Sequence, residues 1–245
     1  MAKVYFISDA HLGLGSREEE REKERRLIAF LDEIRRDANQ LFIVGDLFDA
    51  WFEYRTVIMR GFHRLLAKLD ECTEQGIAIH YLAGNHDYWM KDFFSDELRM
   101  KTYHEPFETI IDGKKVFIHH GDGLSNNDAG YRILKKILNS RVNIWLFSWV
   151  HPDIGIKIAR SSSRKSRHYT SGKDYGGQDG MLTFARKKIE EGFDVVIMGH
   201  RHSPVCTPIG KGFYINLGDW IEHNTYAEMS GGRIELKKWR QERRA

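Results

Sequence analysis

The sequence predicts an α/β fold in which buried strands alternate with amphipathic helices. Short segments rich in Val, Ile and Phe recur along the chain, and each ends in Gly, Asp or His. This pattern is typical of strands that are buried on both faces. The stretches between the first of these segments carry apolar residues on one face and charged residues on the other, as surface helices do. The order strand, helix, strand favours a sheet covered by helices.

The predicted elements follow one another in a simple order. The five principal strands are Val4–Ser8, Leu41–Val44, Ile77–Ala83, Lys115–His119 and Val195–Met198. Helices are expected over Glu18–Asp37 and Val57–Glu74 because their apolar residues recur at helical spacing. A further helix over Leu182–Glu191 and closing strands over Gly212–Leu217 and Arg233–Trp239 complete the pattern.

The stretch between the fourth and fifth strands breaks this rhythm. One or two helices are expected within Tyr131–Arg160, followed by a polar stretch to about Asp179. We interpret residues 128–180 as a helical lid insertion within a single domain of residues 1–245. Its aromatic run, residues 143–150, either packs the insertion on the core, lines an acyl-chain groove or rests on an anionic membrane. The basic tract that follows is either a solvated face or a phosphate-binding surface.

Composition limits the class of protein. The chain has 245 residues, of which 41% are hydrophobic and 30% charged, with a formal net charge of +3. These values are typical of a folded domain and lack the strongly basic balance of a general nucleic-acid binder. Two distant cysteines give no disulfide framework, so a reducing cytoplasm is expected. No stretch approaches the roughly 20 apolar residues of a membrane span, so membrane contact would be peripheral. Nothing predicts a protein partner.

Polar side chains follow all five principal strands at the point where each strand ends. The carboxyl ends of parallel strands meet at one edge of a sheet, where α/β proteins bind ligands. Any one of these clusters alone is more often a turn or a helix cap. All five in order favour one shared site, whose side chains are Asp9, His11, Asp46, Asn85, His86, His120, His200 and His202.

The residue types at this site indicate metal ions. Imidazole and carboxylate groups without thiolate suit Mn²⁺, Zn²⁺ or Fe²⁺ better than Ca²⁺. Seven ligands are too many for one such ion, so we expect two ions roughly 3.5–4 Å apart with Asp46 as the bridge. His86 is expected to stabilise the transition state or to protonate the leaving oxygen. The predicted ligands are Asp9, His11, Asp46, Asn85, His120, His200 and His202.

These motifs resemble the signature of the calcineurin-like metallophosphoesterases. The matching motifs are Asp9-x-His11, Gly45-Asp46-x-x-Asp49, Gly84-Asn85-His86-Asp87, His120 and Gly199-His200-x-His202. The resemblance covers about residues 1–220. It implies a four-layer α/β/β/α sandwich, a pair of divalent ions that is most often Mn²⁺, and hydrolysis of a phosphate ester or anhydride. It does not define the substrate, because one fold serves many substrates.

A narrower resemblance, to the UDP-2,3-diacylglucosamine diphosphatases of lipid A synthesis, which have a helical lid here, rests on the following residues. They are His120-Gly121-Asp122-Gly123-Leu124, Asp128-Ala129-Gly130-Tyr131 and, after a helical stretch, Ser166, Thr170 and Lys173. This resemblance implies that water activated by two metals attacks the phosphorus nearer uridine, giving UMP and 2,3-diacylglucosamine 1-phosphate at the cytoplasmic face of the inner membrane. Asp46, Asn85 and His86 would be catalytic. The implied substrate contacts are Asn85, His86, Asp128, Ser166, Thr170, Lys173 and His200.

One position departs from the narrower pattern. His86 stands where the lipid A enzymes of this pattern carry Arg, and it matches the general superfamily form instead. Another nucleotide-linked lipid, or a soluble nucleotide diester or pyrophosphate, therefore stays open as the substrate. A nuclease is less favoured because a long basic stripe with stacking aromatics is missing. A non-catalytic binding module is disfavoured because all seven predicted ligands are present.

Overall fold

The computed structural model describes residues 3–124, 136–171 and 180–240, and of residues 164–171 it describes the backbone alone. The strands, in chain order, are β1 (Lys3–Ile7), β2 (Ala38–Val44), β3 (Ala78–Leu82), β4 (Lys101–Tyr103), β5 (Phe107–Ile111), β6 (Lys114–His119), β7 (Val195–Met198), β8 (Val205–Ile209), β9 (Gly212–Asn216), β10 (Thr225–Ser230) and β11 (Arg233–Lys238). The helices are α1 (Arg17–Ile34), α2 (His63–Glu74), α3 (Arg141–Phe147), α4 (Pro152–Ser171) and α5 (Gly180–Glu190), with a π-helical turn at Phe93–Glu97.

The strands form two sheets. The first has the order β11-β10-β1-β2-β3-β4, and the second has the order β5-β6-β7-β9-β8. Strands β1, β2 and β3 run parallel in the first sheet, and β6 and β7 run parallel in the second. Each sheet therefore presents the carboxyl ends of these strands along one edge.

Three apolar cores join the layers. Between the two sheets, Phe6 of β1 packs in one cluster with Ile118 of β6. Leu27 of α1 belongs to a second cluster, on the outer face of the first sheet. Met181 of α5 packs with Phe117 on the outer face of the second sheet. The layer order is helices, sheet, sheet, helix, which confirms the predicted four-layer α/β/β/α fold.

Strand β1 illustrates why the principal strands read as continuous apolar runs. Val4 and Phe6 face the core between the sheets, whereas Tyr5 and Ile7 face the core beneath α1 and α2. Successive side chains of a strand point to opposite faces, so a strand buried on both faces needs apolar residues at every position.

The predicted elements agree with the structure except in three respects. Helix α2 begins at His63 rather than at Val57, because Gly61 has a φ of +113° that a helix cannot accommodate. Helix α4 continues to Ser171, through part of the stretch expected to be non-helical, since Arg and Lys are good helix formers. Strands β4, β5, β8 and β10 were not predicted.

Candidate metal centre

The predicted ligands lie on the turns that directly follow β1, β2, β3, β6 and β7. At five of these positions the backbone has a positive φ, which is uncommon outside glycine and costs of order 1 kcal/mol or more. The φ values are 54° for Asp9, 44° for His11, 55° for Asp46, 69° for His200 and 54° for His202. Such conformations concentrate at functional sites because the surrounding structure must hold them.

Three glycines make room for the ligand side chains. A Cβ on Gly84 would collide with the Asp46 carboxylate, and a Cβ on Gly199 would collide with the Asp9 carboxylate. A Cβ on Gly45 would collide with the ring of His120. The backbone of one turn thus packs directly against a ligand from another strand, so glycine is required at all three positions for space, and at Gly45 also for its φ of +82°.

Backbone amides orient both buried carboxylates. The His200 N–H donates to Asp9 Oδ2 at 2.8 Å, and the His86 N–H donates to Asp46 Oδ1 at 2.9 Å. The remaining oxygens, Asp9 Oδ1 and Asp46 Oδ2, face the histidine cluster. Asp9 Oδ1 is buried and accepts no hydrogen bond from the residues that the structure describes. A buried carboxylate oxygen without a hydrogen bond, surrounded by imidazole nitrogens, fits a bound cation.

The first group of side chains consists of Asp9, His11 and His202, whose ligand atoms lie within 4.8 Å of one another. His202 Nε2 lies 3.3 Å from Asp9 Oδ1 and 3.1 Å from His11 Nε2. The Nε2 atom of His11 is also 3.6 Å from Asp46 Oδ2. Four predicted ligands therefore converge on one small volume.

The second group consists of Asp46, His120 and His200, again within 4.8 Å. His120 Nε2 lies 3.3 Å from Asp46 Oδ2 and 3.2 Å from Asn85 Oδ1. The Nδ1 atom of His120 donates to the Val44 carbonyl at 2.9 Å, which directs Nε2 toward Asp46 and Asn85 as the nitrogen that would bind an ion. Asp46 Oδ2 lies between the two groups, where the predicted bridge would stand.

The electrostatics of this cluster fit bound cations. Burial alone would raise the pKa of Asp9, but His11 and His202 outweigh it and hold that pKa well below its ordinary value. For Asp46, burial again acts to raise the pKa, but the surrounding histidines, His120 foremost, together hold it well below its ordinary value. Burial lowers the pKa of His200 to about 4, so its ring is neutral and can act as a ligand. Two ionised carboxylates among imidazoles require positive charge nearby.

Two further aspartates brace the ligand turns. Asp49 Oδ1 lies 3.5 Å from His11 Nδ1, so this carboxylate orients a predicted ligand. No helix begins at this turn in the described chain, so Asp49 does not act as a charge at a helix end. Asp87 accepts hydrogen bonds from the N–H groups of Gly84, at 2.7 Å, and Leu47, at 2.8 Å. Asp87 thereby fixes the turn that carries Asn85 and His86.

His86 lies at the edge of the cluster. One of its ring nitrogens is within 4.8 Å of ligand atoms of His11 and Asp46. Its Nδ1 contacts the Asp49 carbonyl and Ser163 Oγ, each at 2.9 Å. Because a carbonyl can only accept, Nδ1 carries the proton and Nε2 remains for a substrate. Burial lowers the pKa of His86 to about 4.

Comparison with known proteins identifies the family. The model of the calcineurin-like phosphoesterase family matches residues 2–204. The chain belongs to this family. This phosphoesterase is 33% identical to a UDP-2,3-diacylglucosamine hydrolase of Porphyromonas gingivalis, over 96% of this chain and 97% of the relative. It is 28% identical to a UDP-2,3-diacylglucosamine hydrolase of Yersinia pseudotuberculosis, over 94% of this chain and 96% of the relative.

A solved structure supports the fold alone. An archaeal phosphodiesterase superposes with a TM-score of 0.50 at 15% identity, covering 97% of this chain and 99% of its own. Family membership makes the protein a hydrolase enzyme, and its histidine and aspartate clusters suit divalent metal ions. The roles of the individual ligands remain predictions.

Several predicted substrate contacts of the phosphoesterase cannot be placed. Asp128 and Lys173 lie outside the described residues. Ser166 and Thr170 lie on α4, but their side chains are outside the described part of the structure. Asn85, His86 and His200 are brought to the metal centre as expected.

Sequence reasoning missed three residues that support the phosphoesterase site. Ser163 of α4 reaches His86, as described above. Lys23 of α1 is buried, and its Nζ donates to the His11 carbonyl at 2.9 Å. Glu20 accepts from the Gly13 and Gly15 N–H groups at 2.6 and 2.7 Å. A sequence signal existed for the last two only: Ser16 and Glu19 form a capping box that starts α1 beside the His11 loop.

Proposed function

We propose that this phosphoesterase hydrolyses the pyrophosphate of UDP-2,3-diacylglucosamine to UMP and 2,3-diacylglucosamine 1-phosphate. The observation that carries the proposal is the similarity to UDP-2,3-diacylglucosamine hydrolases over nearly the whole of both chains, at 33% identity in one of them. That similarity extends beyond the metal-binding motifs, which other phosphoesterases share, into the helical segment between β6 and α5. The proposal places the reaction in lipid A synthesis.

We further propose that the two groups of side chains hold two Mn²⁺ ions. Asp9, His11 and His202 would hold one ion, Asn85, His120 and His200 the other, and Asp46 both. Such ions, when bound, lower the pKa of water toward neutrality and balance charge on phosphoryl oxygens. The buried, unpaired Asp9 Oδ1 and the neutral His200 ring support this assignment.

The side chains around this centre have separate tasks in the proposed reaction. Asn85 Oδ1 lies 3.2 Å from His120 Nε2, which leaves the Asn85 amide N–H groups for a phosphoryl oxygen. The pKa of His86 is lowered by burial, but a pyrophosphate anion beside the ring would raise it again. His86 can then carry a proton to the leaving oxygen, with its ring fixed by the Asp49 carbonyl.

The helical segment between β6 and α5 supplies the proposed lipid-binding part. Phe147 of α3 contacts Phe52 and Trp89, with ring centroids 4.9 and 5.0 Å apart, so this residue packs the segment on the core. Trp145 and Trp149, in contrast, are 58% and 75% exposed. Exposed tryptophans beside basic residues suit acyl chains or an anionic membrane surface. We therefore propose peripheral attachment to the cytoplasmic face of the inner membrane.

The test is hydrolysis of UDP-2,3-diacylglucosamine by the purified protein, with and without added Mn²⁺, followed as release of UMP. A soluble UDP-sugar and a bis-ester of phosphate are assayed beside it. We expect Mn²⁺-dependent release of UMP from the acylated substrate at a much higher kcat/KM than from the soluble ones. Activity confined to the soluble substrates would overturn the lipid assignment and leave the phosphoesterase chemistry intact.

A soluble nucleotide substrate is the second candidate. His86 stands where the lipid A enzymes of the narrower pattern carry Arg, which would contact a phosphate with two parallel hydrogen bonds. Imidazole cannot make that contact. The variant His86→Arg separates the two candidates. If UDP-2,3-diacylglucosamine is the substrate, this variant should keep or raise its turnover. If a soluble diester is the substrate, the variant should lower the turnover of that diester.

A further inference from the structure

A cavity of about 350 Å³ lies between the start of α1, the chain before α2, and α4. Its wall includes five arginines, namely Arg17, Arg21, Arg60, Arg64 and Arg160. Guanidinium groups around a cavity of this size are suited to an anion, since their planar forks match the oxygens of phosphate and carboxylate.

The arginines are not neutralised by the acidic groups beside them. None of the five forms an ion pair within the part of the chain that the structure describes. Two glutamates also line the cavity, but their carboxylates serve other groups. Glu20 accepts from two backbone amides and from Lys23, and Glu24 accepts from the Leu65 N–H at 3.3 Å. The cavity therefore keeps a surplus of positive charge.

Two residues of the cavity wall lie close in the chain to residues of the metal centre or its support. Gly13, in its wall, follows the predicted ligand His11 by two residues. Arg160 lies three residues before Ser163 on α4, on the same side of the helix, and Ser163 contacts His86. An anion held here would lie beside the reaction without occupying the ligand groups.

A second cavity, of about 590 Å³, continues from the first. It shares Arg17 and Arg60 with the first cavity and adds the apolar side chains of Ile58, Met59 and Leu66. An arginine-lined space joined to an apolar one is suited to a phosphate group that carries an organic substituent. Inorganic phosphate alone would leave the apolar wall unused.

We propose that the arginine-lined cavity is a second anion site, separate from the metal centre, and that it binds phosphate monoesters. Hydrolysis of a phosphodiester or of a nucleotide-linked pyrophosphate by a phosphoesterase releases a phosphate monoester. The enzyme's own reaction therefore produces a ligand for this second site. The proposal does not depend on the identity of the lipid substrate. It predicts that a product binds at two places on one chain.

The experiment is calorimetric titration of the Mn²⁺-loaded protein with UMP and, separately, with inorganic phosphate. We expect two equivalents of UMP per chain in the unaltered protein. The double variant Arg60→Gln/Arg64→Gln should bind one equivalent, with the other site weakened at least tenfold, while hydrolysis of a bis-ester substrate is unchanged. The control is Arg25→Gln/Arg99→Gln, which removes the same charge from arginines paired with acids elsewhere and should keep both equivalents.

Comparing UMP with inorganic phosphate shows whether the arginine-lined cavity prefers a phosphate monoester to the free anion. Tighter binding of UMP than of phosphate at the arginine-dependent site supports a monoester with its organic group on the apolar wall. Equal binding, or a single equivalent of UMP in the unaltered protein, overturns the proposal. The second variant Arg17→Gln/Arg21→Gln repeats the test from α1, and an unaltered stoichiometry in both variants would also overturn it. None of these readings requires turnover of UDP-2,3-diacylglucosamine.

Discussion

Asp46 is the residue that both halves of the candidate centre share. We expect Asp46→Asn to lower kcat by about a thousandfold or more, because two-metal stabilisation of charge is worth several kcal/mol. The fold should persist, since the change removes a buried negative charge from the metal-free protein. Metal content by mass spectrometry, kcat and the melting temperature are the measurements. Asp153→Asn, at an exposed position of α4, is the control, and a normal kcat in Asp46→Asn would exclude the bridging role.

A substitution at Gly84 tests whether the Asp46 carboxylate needs the space that this glycine leaves. Its φ is not positive, so alanine there brings no backbone strain and only adds a Cβ that collides with Asp46. We expect Gly84→Ala to lower metal affinity and kcat/KM by about 10- to 100-fold, as displaced supporting groups do at metal sites. Gly15→Ala is the matched control, because its added Cβ meets only the movable side chains of Glu19 and Glu20. Equal metal affinity in the two variants would contradict the prediction.

Site residues that directly follow a strand could be predicted from the sequence. Site residues that reach the centre from a different helix could not. Asp9 and His200 follow apolar strands directly, so the sequence places them at the sheet edge before any packing is known. Ser163 has no such position. It reaches His86 only because α4 crosses back over the β3 turn, and nothing in a run of serines and arginines indicates that crossing. Lys23 was missed because a lysine in a charged helix is normally exposed.

At the scale of single elements, α4 is linked to the centre through one side chain. Ser163 Oγ and the Asp49 carbonyl both contact His86 Nδ1, so the serine shares the task of holding the ring. We expect Ser163→Ala to lower kcat about fivefold with little change in KM, since one neutral hydrogen bond contributes about 1 kcal/mol. The exposed neighbour Ser162→Ala is the control. A rise in KM alone would instead assign Ser163 to substrate binding.

The pair β3 and β4 carries a pH-dependent contribution to stability. His80 of β3 stacks on Phe42 with ring centroids 4.4 Å apart, and its Nδ1 lies 3.0 Å from the Tyr103 hydroxyl of β4. Burial lowers the pKa of His80 to about 4, against about 6.5 in an unfolded chain. The unfolded state therefore binds the proton first. Stability from this group is complete above pH 6.5 and is lost as the pH falls toward 4.

We expect the loss of unfolding free energy between pH 7 and pH 5, measured by urea denaturation, to be smaller in His80→Gln than in the unaltered protein. Glutamine stays neutral over this range and can still accept from the Tyr103 hydroxyl. The exposed His151→Gln is the control and should keep the original dependence. An identical pH dependence in His80→Gln would place the acid sensitivity elsewhere.

The strands that we did not predict are short, and their side chains are partly exposed. The turns that join two of them to the next strand, however, have a sequence typical of β-hairpins. Asp112-Gly113 joins β5 to β6 with φ values of 48° and 77°, and Gly231-Gly232 joins β10 to β11 with 57° and 75°. Two consecutive positive φ values are the mark of a type I′ hairpin turn, for which Asp-Gly and Gly-Gly are preferred. Read with those dipeptides, Phe107–Ile111 and Thr225–Ser230 would have been predicted as hairpin strands.

For the whole molecule, the arrangement of two sheets explains why one site can be built from five distant parts of the sequence. β1, β2 and β3 end at the same edge as β6 and β7, so turns from both sheets face one another. His120 of the second sheet contacts Asn85 of the first across this junction. The four-layer packing thus sets the distance between the two ligand groups, and a slip of one sheet against the other would separate them.

The proposed membrane attachment depends on how exposed apolar side chains are distributed over the molecule. No helix within residues 3–124, 136–171 and 180–240 is long and apolar enough to cross a bilayer. The exposed apolar side chains of the protein are concentrated instead on the helical segment, among them Val142, Trp145 and Trp149 at 64%, 58% and 75% exposure. The adjacent Lys136 and Arg141 are exposed as well. Such a surface would bind an anionic bilayer by burying apolar area and by attracting lipid head groups, as we propose.

We expect Trp145→Ala/Trp149→Ala to reduce co-sedimentation with vesicles of phosphatidylglycerol and phosphatidylethanolamine at least tenfold, because each buried tryptophan contributes of order 1–2 kcal/mol to such binding. Turnover of a soluble bis-ester should be unchanged, since neither side chain contacts the metal centre among the described residues. The control Val57→Ala/Ile58→Ala removes exposed apolar groups near α2 and should bind vesicles normally. If both double variants bind vesicles alike, the two tryptophans do not attach the protein to a bilayer, and the proposed docking through this face is wrong.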